Sequence, residues 1–265
     1  MVKTALPKAL ITGMNGTVAP VLASVLREAG NQVVGWDRSA VPTDDSAAIL
    51  DYIREERPDW FFHLATGSEQ WAEAIARECY ELDIAFLFTS SVSVYSSDQR
   101  GPFTVDIPPT PDEDYGRYKL TCEERILAVN PDARVVRIGW QIGEGRGGNQ
   151  MVEHLARTFE EEGRIEASTE WYQACSFLSD TVKGLLHVMR SLPGSLYHLD
   201  GNPGLSFYEI VTGLNSLLRT EWVIEATASP ALNNRLVDSR IPVMPITARF
   251  RDADADGAKS LSSDR

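Results

Sequence analysis

Cysteine is scarce in this chain, which has 3 cysteines among 265 residues. Cys79, Cys122 and Cys175 show no paired spacing, so the sequence predicts neither a disulfide framework nor a cysteine-based zinc site. The 4 histidines also lack a metal-ligand spacing, and we expect no metal. Such cysteine usage is typical of the reducing cytosol, and it predicts a cytoplasmic protein.

Long hydrophobic runs are missing as well. No segment reaches about 18 uninterrupted apolar residues, the length that a membrane-spanning helix requires. The residues before Gly13 contain one short apolar run and no cleavage site of the secretory type, so we expect no signal peptide. We therefore expect no association with a membrane.

Positive charge is the third deficit. The 25 Lys and Arg residues face 38 Asp and Glu residues, which gives a net charge of −13. This balance argues against binding to the backbone of nucleic acids or to anionic membranes. It leaves room for a small anionic ligand, because a local pocket can still be rich in backbone N–H groups. With 43% hydrophobic residues, the chain can bury a sizeable core.

Short apolar runs alternate with helical patterns as far as residue 140. Near-continuous apolar strands that alternate with helices indicate a parallel sheet covered on both faces. We therefore predict an α/β, Rossmann-type doubly wound sheet, in which ligands bind at the carboxyl ends of the strands. The strands are predicted at 10–12, 33–36, 60–64, 84–89 and 135–138, and the helices at 18–29, 46–56, 70–81 and 112–129.

The pattern changes after Gly143, where a glycine-rich loop is followed by shorter strands and helices. We assign residues 1–143 to the Rossmann core and 144–248 to a small α/β lobe interleaved with that core. The remaining segment, 249–265, has almost no apolar residues, and we expect it to be a disordered tail. The lobe strands are predicted at 164–167, 172–177 and 196–199, and its helices at 151–162, 181–190 and 206–218.

A glycine turn follows the first predicted strand and leads into the first helix. Gly13 permits a tight turn, and Gly16 lets the backbone approach a pyrophosphate. Asn15 belongs to this turn, and the N–H groups of Thr17 and Val18 would point at the phosphates with the helix dipole behind them. An ordinary strand-to-helix loop is the alternative. The position after the first strand favours binding of a dinucleotide.

Asp37 and Arg38 stand at the end of the second predicted strand. The carboxylate of Asp37 would accept hydrogen bonds from the adenosine ribose, which favours NAD. The guanidinium of Arg38 would pair with a 2′-phosphate, which favours NADP. A solvated ion pair at a strand end is the third interpretation. The sequence therefore predicts NAD or NADP and leaves the choice between them open.

Tyr115 and Lys119 are one turn apart on the same face of a predicted helix. A nearby ammonium stabilises phenolate and lowers the phenol pKa from about 10, which would make Tyr115 a proton donor or acceptor. Ser91, just after the fourth predicted strand, would hydrogen-bond the same substrate oxygen, or would only cap a helix. Each feature is common by chance, but together with the glycine turn they predict hydride-transfer chemistry.

Several motifs together resemble the extended short-chain dehydrogenase/reductase family, over residues 8 to about 245. They are the turn 13–16, His63-Leu64-Ala65, Ser90-Ser91-x-x-Val94-Tyr95 and Tyr115-x-x-x-Lys119. Further stretches, such as Tyr115-Gly-Arg-Tyr-Lys-Leu-Thr-Cys-Glu123, resemble its dTDP-4-dehydrorhamnose reductase branch. The resemblance implies that Leu64 and Ala65 contact the cofactor. It also implies that Asn149 and Arg235 face the diphosphate of a substrate.

The chain also departs from the family pattern. Ala19 replaces the third glycine of the turn, and Val92 replaces the aspartate that often follows the catalytic hydroxyl. The stretch after Ala65 is shorter than in relatives. Gln173 and Cys175 replace a glycine and a proline of a turn on the substrate side. The resemblance therefore defines the cofactor side of the site better than the substrate side.

The resemblance implies an NAD(P)-dependent reductase of a keto group on a nucleotide-linked sugar or a similar polar carbonyl substrate. Tyr115 would protonate the carbonyl oxygen, Ser91 would polarise it, and Lys119 would tune Tyr115. Tyr115 and Lys119 would also bind the cofactor, with Lys119 holding the nicotinamide ribose. A nucleotide-sugar epimerase is one alternative. The other is a non-catalytic regulatory protein that binds a dinucleotide. The expected partner is a small molecule, and a homodimer is among the expected assemblies.

Overall fold

A parallel sheet of six strands forms the centre of the molecule. These strands are β1 Ala9–Thr12, β2 Val33–Gly35, β3 Trp60–His63, β4 Ala85–Ser91, β5 Arg134–Ile138 and β10 Ser195–Leu199. The computed structural model describes residues 6–251. The strand order is β10-β5-β4-β3-β1-β2, and each neighbouring pair is parallel. The order reverses between β1 and β3, which places a ligand crevice at their carboxyl ends.

Helices cover both faces of this sheet. They are α1 Val18–Glu28, α2 Ser46–Glu56, α3 Glu69–Glu81, α4 Asp114–Val129 and α6 Leu178–Ser191. One core cluster joins α1 and α6 to the sheet, and another joins α2, α3 and α4. Successive strand residues point to opposite faces, so Leu10 belongs to the second cluster and Ile11 to the first. Burial on both faces explains why the strands are continuously apolar.

A smaller lobe lies beyond β5 and has its own apolar cluster. Its strands are β6 Trp140–Ile142, β7 Ile165–Ser168, β8 Trp171–Tyr172, β9 Cys175–Phe177, β11 Ile224–Thr227 and β12 Leu232–Asn233. They form three parallel pairs: β6 with β9, β7 with β11, and β8 with β12. The helices of the lobe are α5 Met151–Glu162 and α7 Phe207–Leu218. Ser206 and Glu209 form a capping box that starts α7.

The predicted doubly wound fold is confirmed, with two local corrections. The strand predicted at 196–199 and the helix predicted at 181–190 were assigned to the lobe. As β10, the strand pairs with β5 at the edge of the central sheet, and as α6, the helix packs on that sheet. The tail was expected to begin at Arg249, yet the described residues 246–251 are helical. Arg249 forms an ion pair with the buried Asp180 at 2.9 Å, which a composition argument could not foresee. Residues 252–265 of the expected tail lie outside the described residues.

Candidate active site

The carboxyl ends of β1 to β5 surround a cavity of about 980 Å³. A volume of this size suits a large ligand. All the predicted site residues except Arg235 line it. They are Gly13, Asn15, Gly16, Thr17, Val18, Asp37, Arg38, Leu64, Ala65, Ser91, Tyr115, Lys119 and Asn149. The fold therefore gathers residues from six separate segments of the chain into one site.

The turn between β1 and α1 is shaped to receive a phosphate group. Gly13 has a φ of +85°, and a Cβ at this position would lie 3.1 Å from the backbone of Leu64 and Ala65. The N–H of Gly16 donates to the carbonyl oxygen of Gly13 at 2.7 Å, which closes the turn. Because α1 begins at Val18, the turn stands at a helix N-terminus and presents backbone N–H groups to the cavity. These residues fit the pyrophosphate of a dinucleotide.

The ends of β1 and β3 are tied together beside this turn. The N–H groups of Leu64 and Ala65 donate to Thr12 Oγ1 at 3.0 and 3.2 Å, and His63 Nδ1 lies 3.0 Å from the same oxygen. Burial lowers the pKa of His63 to about 3, so its imidazole is neutral at physiological pH. The backbone that supports Gly13 is therefore fixed by uncharged hydrogen bonds.

Asp37 and Arg38 lie at the end of the cavity formed by β2, where the adenosine of a dinucleotide would bind. Asp37 Oδ1 accepts hydrogen bonds from Ser39 N at 2.8 Å and from Ser39 Oγ at 2.6 Å. These bonds lower the pKa of Asp37, so the carboxylate stays ionised. Arg38 donates to the carbonyl oxygen of Thr66, and its guanidinium lies 5.0 Å from the Trp71 ring centroid. Both charged side chains thus line this end of the cavity.

The short stretch after Ala65 is held in place by hydrogen bonds at both of its ends. The N–H of Gly67 donates to the hydroxyl of Tyr118 on α4 at 3.0 Å. Ser68 accepts the N–H of Trp71 at 3.1 Å and caps α3. This stretch therefore connects the end of β3 to α4.

Tyr115 stands on the first turn of α4, close to Ser91 at the end of β4. Its side chain is 46% exposed, so a ligand in the cavity can reach it. Burial of the phenol raises the pKa of Tyr115, and the Ser91 hydroxyl lowers it by a smaller amount. The expected lowering of the Tyr115 pKa by Lys119 is therefore wrong for this structure. Tyr115 is protonated at neutral pH and can donate a proton.

Lys119 is 3% exposed and lies beneath the tyrosine. Its Nζ donates to the carbonyl oxygen of Thr89 at 2.9 Å and lies 5.8 Å from the Tyr115 ring centroid. Burial lowers the pKa of Lys119 to about 8. Burial of the phenol remains the largest influence on the pKa of Tyr115.

Ser91 has a local role in addition to its position beside Tyr115. Its Oγ accepts the N–H of Ser93 at 3.1 Å and caps the 3-10 turn Val92–Val94. Gly116 lets α4 approach this turn, because a Cβ there would lie 2.0 Å from the carbonyl oxygen of Ser93. Sequence reasoning missed this contact, and a glycine inside a helical pattern was the available signal.

A buried ionic network lies behind the site. Arg137 on β5 donates to both carboxylate oxygens of Glu123 on α4, at 2.9 and 2.7 Å, and to Tyr95 Oη at 2.7 Å. Tyr95 Oη lies 3.3 Å from Nε2 of His198 on β10. Burial lowers the pKa of His198 to about 4, so the only full charges in the network are those of the paired Arg137 and Glu123. The network ties the helix of Tyr115 and Lys119 to the sheet.

Asn149 and Arg235 occupy different places. The carbonyl oxygen of Asn149 accepts a hydrogen bond from Thr17 Oγ1 at 3.1 Å, so Asn149 lies over the phosphate turn. Arg235 does not line the cavity. Its Nε donates to Asn233 Oδ1 at 3.2 Å, and its guanidinium lies 5.6 Å from the Tyr172 ring centroid. The substrate contacts expected of both residues stay predictions.

Several lining residues were not predicted as site residues from the sequence, among them Thr66, Ser93 and Gln141. Thr66 and Ser93 follow shortly after a strand of the central sheet, and this position is the signal that would have found them. Gln141 lies on β6, a strand that the sequence pattern did not reveal.

Within residues 6–251, no helix is long and apolar enough to cross a membrane.

Comparison with known proteins identifies relatives of this chain. Spore coat polysaccharide biosynthesis protein SpsK of Bacillus subtilis is 21% identical over 244 residues, which span 86% of this chain and 85% of that protein. The dTDP-4-dehydrorhamnose reductase of Mycolicibacterium smegmatis is 27% identical over 199 residues, or 68% of this chain and 59% of that protein.

Solved structures show the same fold. The dTDP-4-dehydrorhamnose reductase of Bacillus anthracis, in complex with NADP, superimposes with a TM-score of 0.80 and 15% identity. The superposition covers 95% of this chain and 99% of that one. The RmlD substrate binding domain family matches residues 68–236, more than half of the sequence. The chain therefore belongs to the RmlD substrate binding domain family.

Proposed function

We propose that this protein is an NAD(P)-dependent reductase of a keto group on a nucleotide-linked sugar. The observation that carries the proposal is the placement of Tyr115, Ser91 and Lys119 in one cavity with the phosphate turn. Relatives named dTDP-4-dehydrorhamnose reductase support the substrate class. The NADP complex of a neighbouring structure supports the cofactor class.

The dinucleotide side of the cavity is built by this chain's own backbone and charges. Gly13 and Gly16 leave room for a pyrophosphate, and the N-terminus of α1 supplies N–H donors. Asp37, which accepts a hydrogen bond from the N–H of Ser39, would accept hydrogen bonds from the adenosine ribose. When bound, the nicotinamide supplies the hydride that reduces a carbonyl carbon.

Tyr115 supplies the proton in this proposal. Its raised pKa keeps the phenol protonated at neutral pH, which is the form that a reduction consumes. The proton passes from Tyr115 Oη to the carbonyl oxygen, and Ser91 stabilises that oxygen through a hydrogen bond. The ammonium of Lys119 lies close enough to stabilise the phenolate that remains.

A panel of nucleotide-linked 4-keto sugars tests the proposal. Purified protein is mixed with each sugar and with NADH or NADPH, and the absorbance of the reduced cofactor is followed. We expect oxidation of the cofactor with at least one sugar, and its loss in the Tyr115→Phe variant. Conversion of a sugar without net oxidation of the cofactor indicates an epimerase instead. Binding of the cofactor without turnover of any sugar contradicts both enzyme functions.

A further inference from the structure

Ser93 lines the cavity two residues after Ser91. It belongs to the 3-10 turn Val92–Val94, and its side chain is half-buried. Within residues 6–251, Ser93 Oγ has one hydrogen-bond partner, which is Ser91 Oγ at 3.1 Å. The hydroxyl of Ser93 therefore ties no distant segment of the protein, and its contact is with a predicted catalytic residue.

Two atoms of Ser93 hold the hydroxyl group of Ser91. The N–H of Ser93 donates to Ser91 Oγ at 3.1 Å, and the hydroxyl of Ser91 donates to Ser93 Oγ at 3.1 Å. The first bond holds the oxygen of Ser91, and the second gives its hydrogen a direction. A serine hydroxyl without such partners rotates toward whichever acceptor is available. The hydrogen bonding of Ser91 is thus set by Ser93 before a ligand enters.

The backbone that carries Ser93 is fixed by packing. Val92 and Val94 are 8% and 0% exposed and belong to one apolar cluster. The N–H of Tyr95 donates to the carbonyl oxygen of Val92 at 3.0 Å, which closes the turn. A Cβ on Gly116 would lie 2.0 Å from the carbonyl oxygen of Ser93, so this carbonyl packs against the first turn of α4. A residue on such a support can hold a neighbouring side chain in a productive geometry.

The two hydroxyl groups can form a chain during the proposed reduction. Ser91 donates its hydrogen to the carbonyl oxygen of the substrate and gives up its donation to Ser93. Rotation of the Ser93 hydroxyl then lets it donate to Ser91 Oγ, so the bond between the two oxygens is kept with its direction reversed. Hydrogen bonds in a chain polarise one another, which makes the O–H of Ser91 a stronger donor. This effect matters most when negative charge develops on the carbonyl oxygen.

We infer that Ser93 is a positioning residue for Ser91, and that its hydroxyl strengthens the donation of Ser91 to the carbonyl oxygen. The inference rests on the proposed function, because it concerns the hydrogen bond that Ser91 makes in that reaction. It assigns Ser93 no contact with the substrate. Removal of the Ser93 hydroxyl should therefore have an effect only while Ser91 is present.

Serine variants and a matched control test the inference. Ser93→Ala removes the hydroxyl and keeps the N–H that bonds Ser91, and Ser93→Thr keeps both. Ser91→Ala is combined with Ser93→Ala in a double-mutant cycle. Ser96→Ala is the control, since Ser96 is a half-buried serine outside the cavity whose hydroxyl lies 3.4 Å from another hydroxyl. Ser93→Cys, with a weaker donor and acceptor, takes the place of Ser93→Ala if the latter does not fold.

The measurements are kcat and KM for a nucleotide-linked keto sugar that the wild-type protein reduces. We expect Ser93→Ala to lower kcat about tenfold and to leave KM within about twofold of wild type, because the lost bond acts in the transition state. In the Ser91→Ala background, the same change should alter kcat by less than about twofold. Ser93→Thr should restore most of the wild-type kcat, and Ser96→Ala should keep it.

Four outcomes of these kinetics overturn the inference. Ser93→Ala keeps the wild-type kcat, or it lowers kcat equally in the presence and in the absence of Ser91. Ser93→Thr is as slow as Ser93→Ala, which would show that the hydroxyl is not the group that matters. Ser96→Ala lowers kcat as much as Ser93→Ala, which would show that the effect is not specific to Ser91.

A titration of Tyr115 keeps the inference testable if wild type reduces no keto sugar, in which case the proposed function fails by itself. The protein is labelled with 3-fluorotyrosine, and the fluorine NMR signal of residue 115 is assigned with the Tyr115→Phe variant. Because the Ser91 hydroxyl lowers the pKa of Tyr115, weaker donation by Ser91 should raise it. We expect Ser93→Ala to raise the pKa of this phenol and to leave it unchanged in the Ser91→Ala background. An unchanged or lower pKa in Ser93→Ala contradicts the inference.

Discussion

Replacing Gly116 with alanine should disturb the pair of Tyr115 and Ser91 without removing a functional group. Gly116 lies in the first turn of α4, directly after Tyr115. An alanine Cβ there would lie 2.0 Å from the carbonyl oxygen of Ser93 and 2.9 Å from the Cβ of Pro111. Relief of this overlap requires a displacement of about 1 Å between α4 and the 3-10 turn.

Two opposing effects determine the stability of this variant. Alanine in place of glycine stabilises an unstrained helix by up to about 1 kcal/mol, whereas overpacking costs about 1–3 kcal/mol. Because the contacted oxygen belongs to backbone, we expect the overlap to dominate and Tm to fall by about 2–6 °C. A shift of about 1 Å between Tyr115 and Ser91 should lower kcat/KM by about 100-fold.

Thermal unfolding and steady-state kinetics measure these two effects. Gly145→Ala is the control, since no atom lies within 4 Å of a Cβ at that position. We expect the control to keep the wild-type Tm and activity. A Gly116→Ala variant that is as stable and as active as wild type would refute the reasoning, because it would show that α4 does not need close contact with the 3-10 turn.

Three further predictions concern the chemistry. Tyr115→Phe should lower kcat by about 10²- to 10⁴-fold with little change in the Kd of the dinucleotide, and stopped-flow kinetics with fluorescence titration would show both. Burial lowers the pKa of Lys119 to about 8, so its ammonium is lost as pH rises through 8 and kcat for reduction should fall there. A flat pH–rate profile up to pH 9.5 would count against a role of the Lys119 ammonium in reduction. Asp37→Asn should raise the preference for NADPH over NADH by roughly tenfold, since it removes a negative charge from the site of the 2′-phosphate. If the ratio of kcat/KM for NADPH to kcat/KM for NADH does not change, Asp37 does not repel the 2′-phosphate.

Lys119 also links stability to pH. Its pKa in the folded state lies below that of the unfolded chain, so the folded state binds this proton less tightly. The contribution of Lys119 to the free energy of unfolding is therefore lowest below pH 8. It rises as pH increases from about 8 toward the ordinary lysine pKa of about 10.4. Lys119→Met should weaken this rise in a series of denaturant titrations.

The central sheet was predictable because its signal is local. Leu10 and Ile11 face opposite layers, and burial of both produces a continuous apolar strand that the sequence displays directly. The phosphate turn was predictable for the same reason, since Gly13 and Gly16 stand between a strand and a helix. β10 was assigned to the wrong unit, because pairing of Ser195–Leu199 with β5 depends on contacts between distant segments.

The substrate side was harder to predict, because it depends on contacts that span the chain. Gln141 lines the cavity from β6, which pairs with β9, and the sequence pattern did not reveal β6. The pKa of Tyr115 was predicted in the wrong direction, because burial and the hydrogen bond from Lys119 to Thr89 follow from packing and not from spacing. Local patterns thus identified residues that line the cavity, while their electrostatics required the fold.

Transfer of a deuteride tests the central claim most directly. A dTDP-linked 4-keto-6-deoxy sugar is incubated with NADH or NADPH that carries deuterium at both hydrogen positions of C4 of the nicotinamide, and the sugar product is analysed by NMR and mass spectrometry. We predict one deuterium at the carbon of the former keto group, with one oxidised cofactor formed per sugar, and labelling that is slower by about 10²- to 10⁴-fold with Tyr115→Phe. A product without deuterium, or a sugar that changes configuration without net oxidation of the cofactor, would contradict the account.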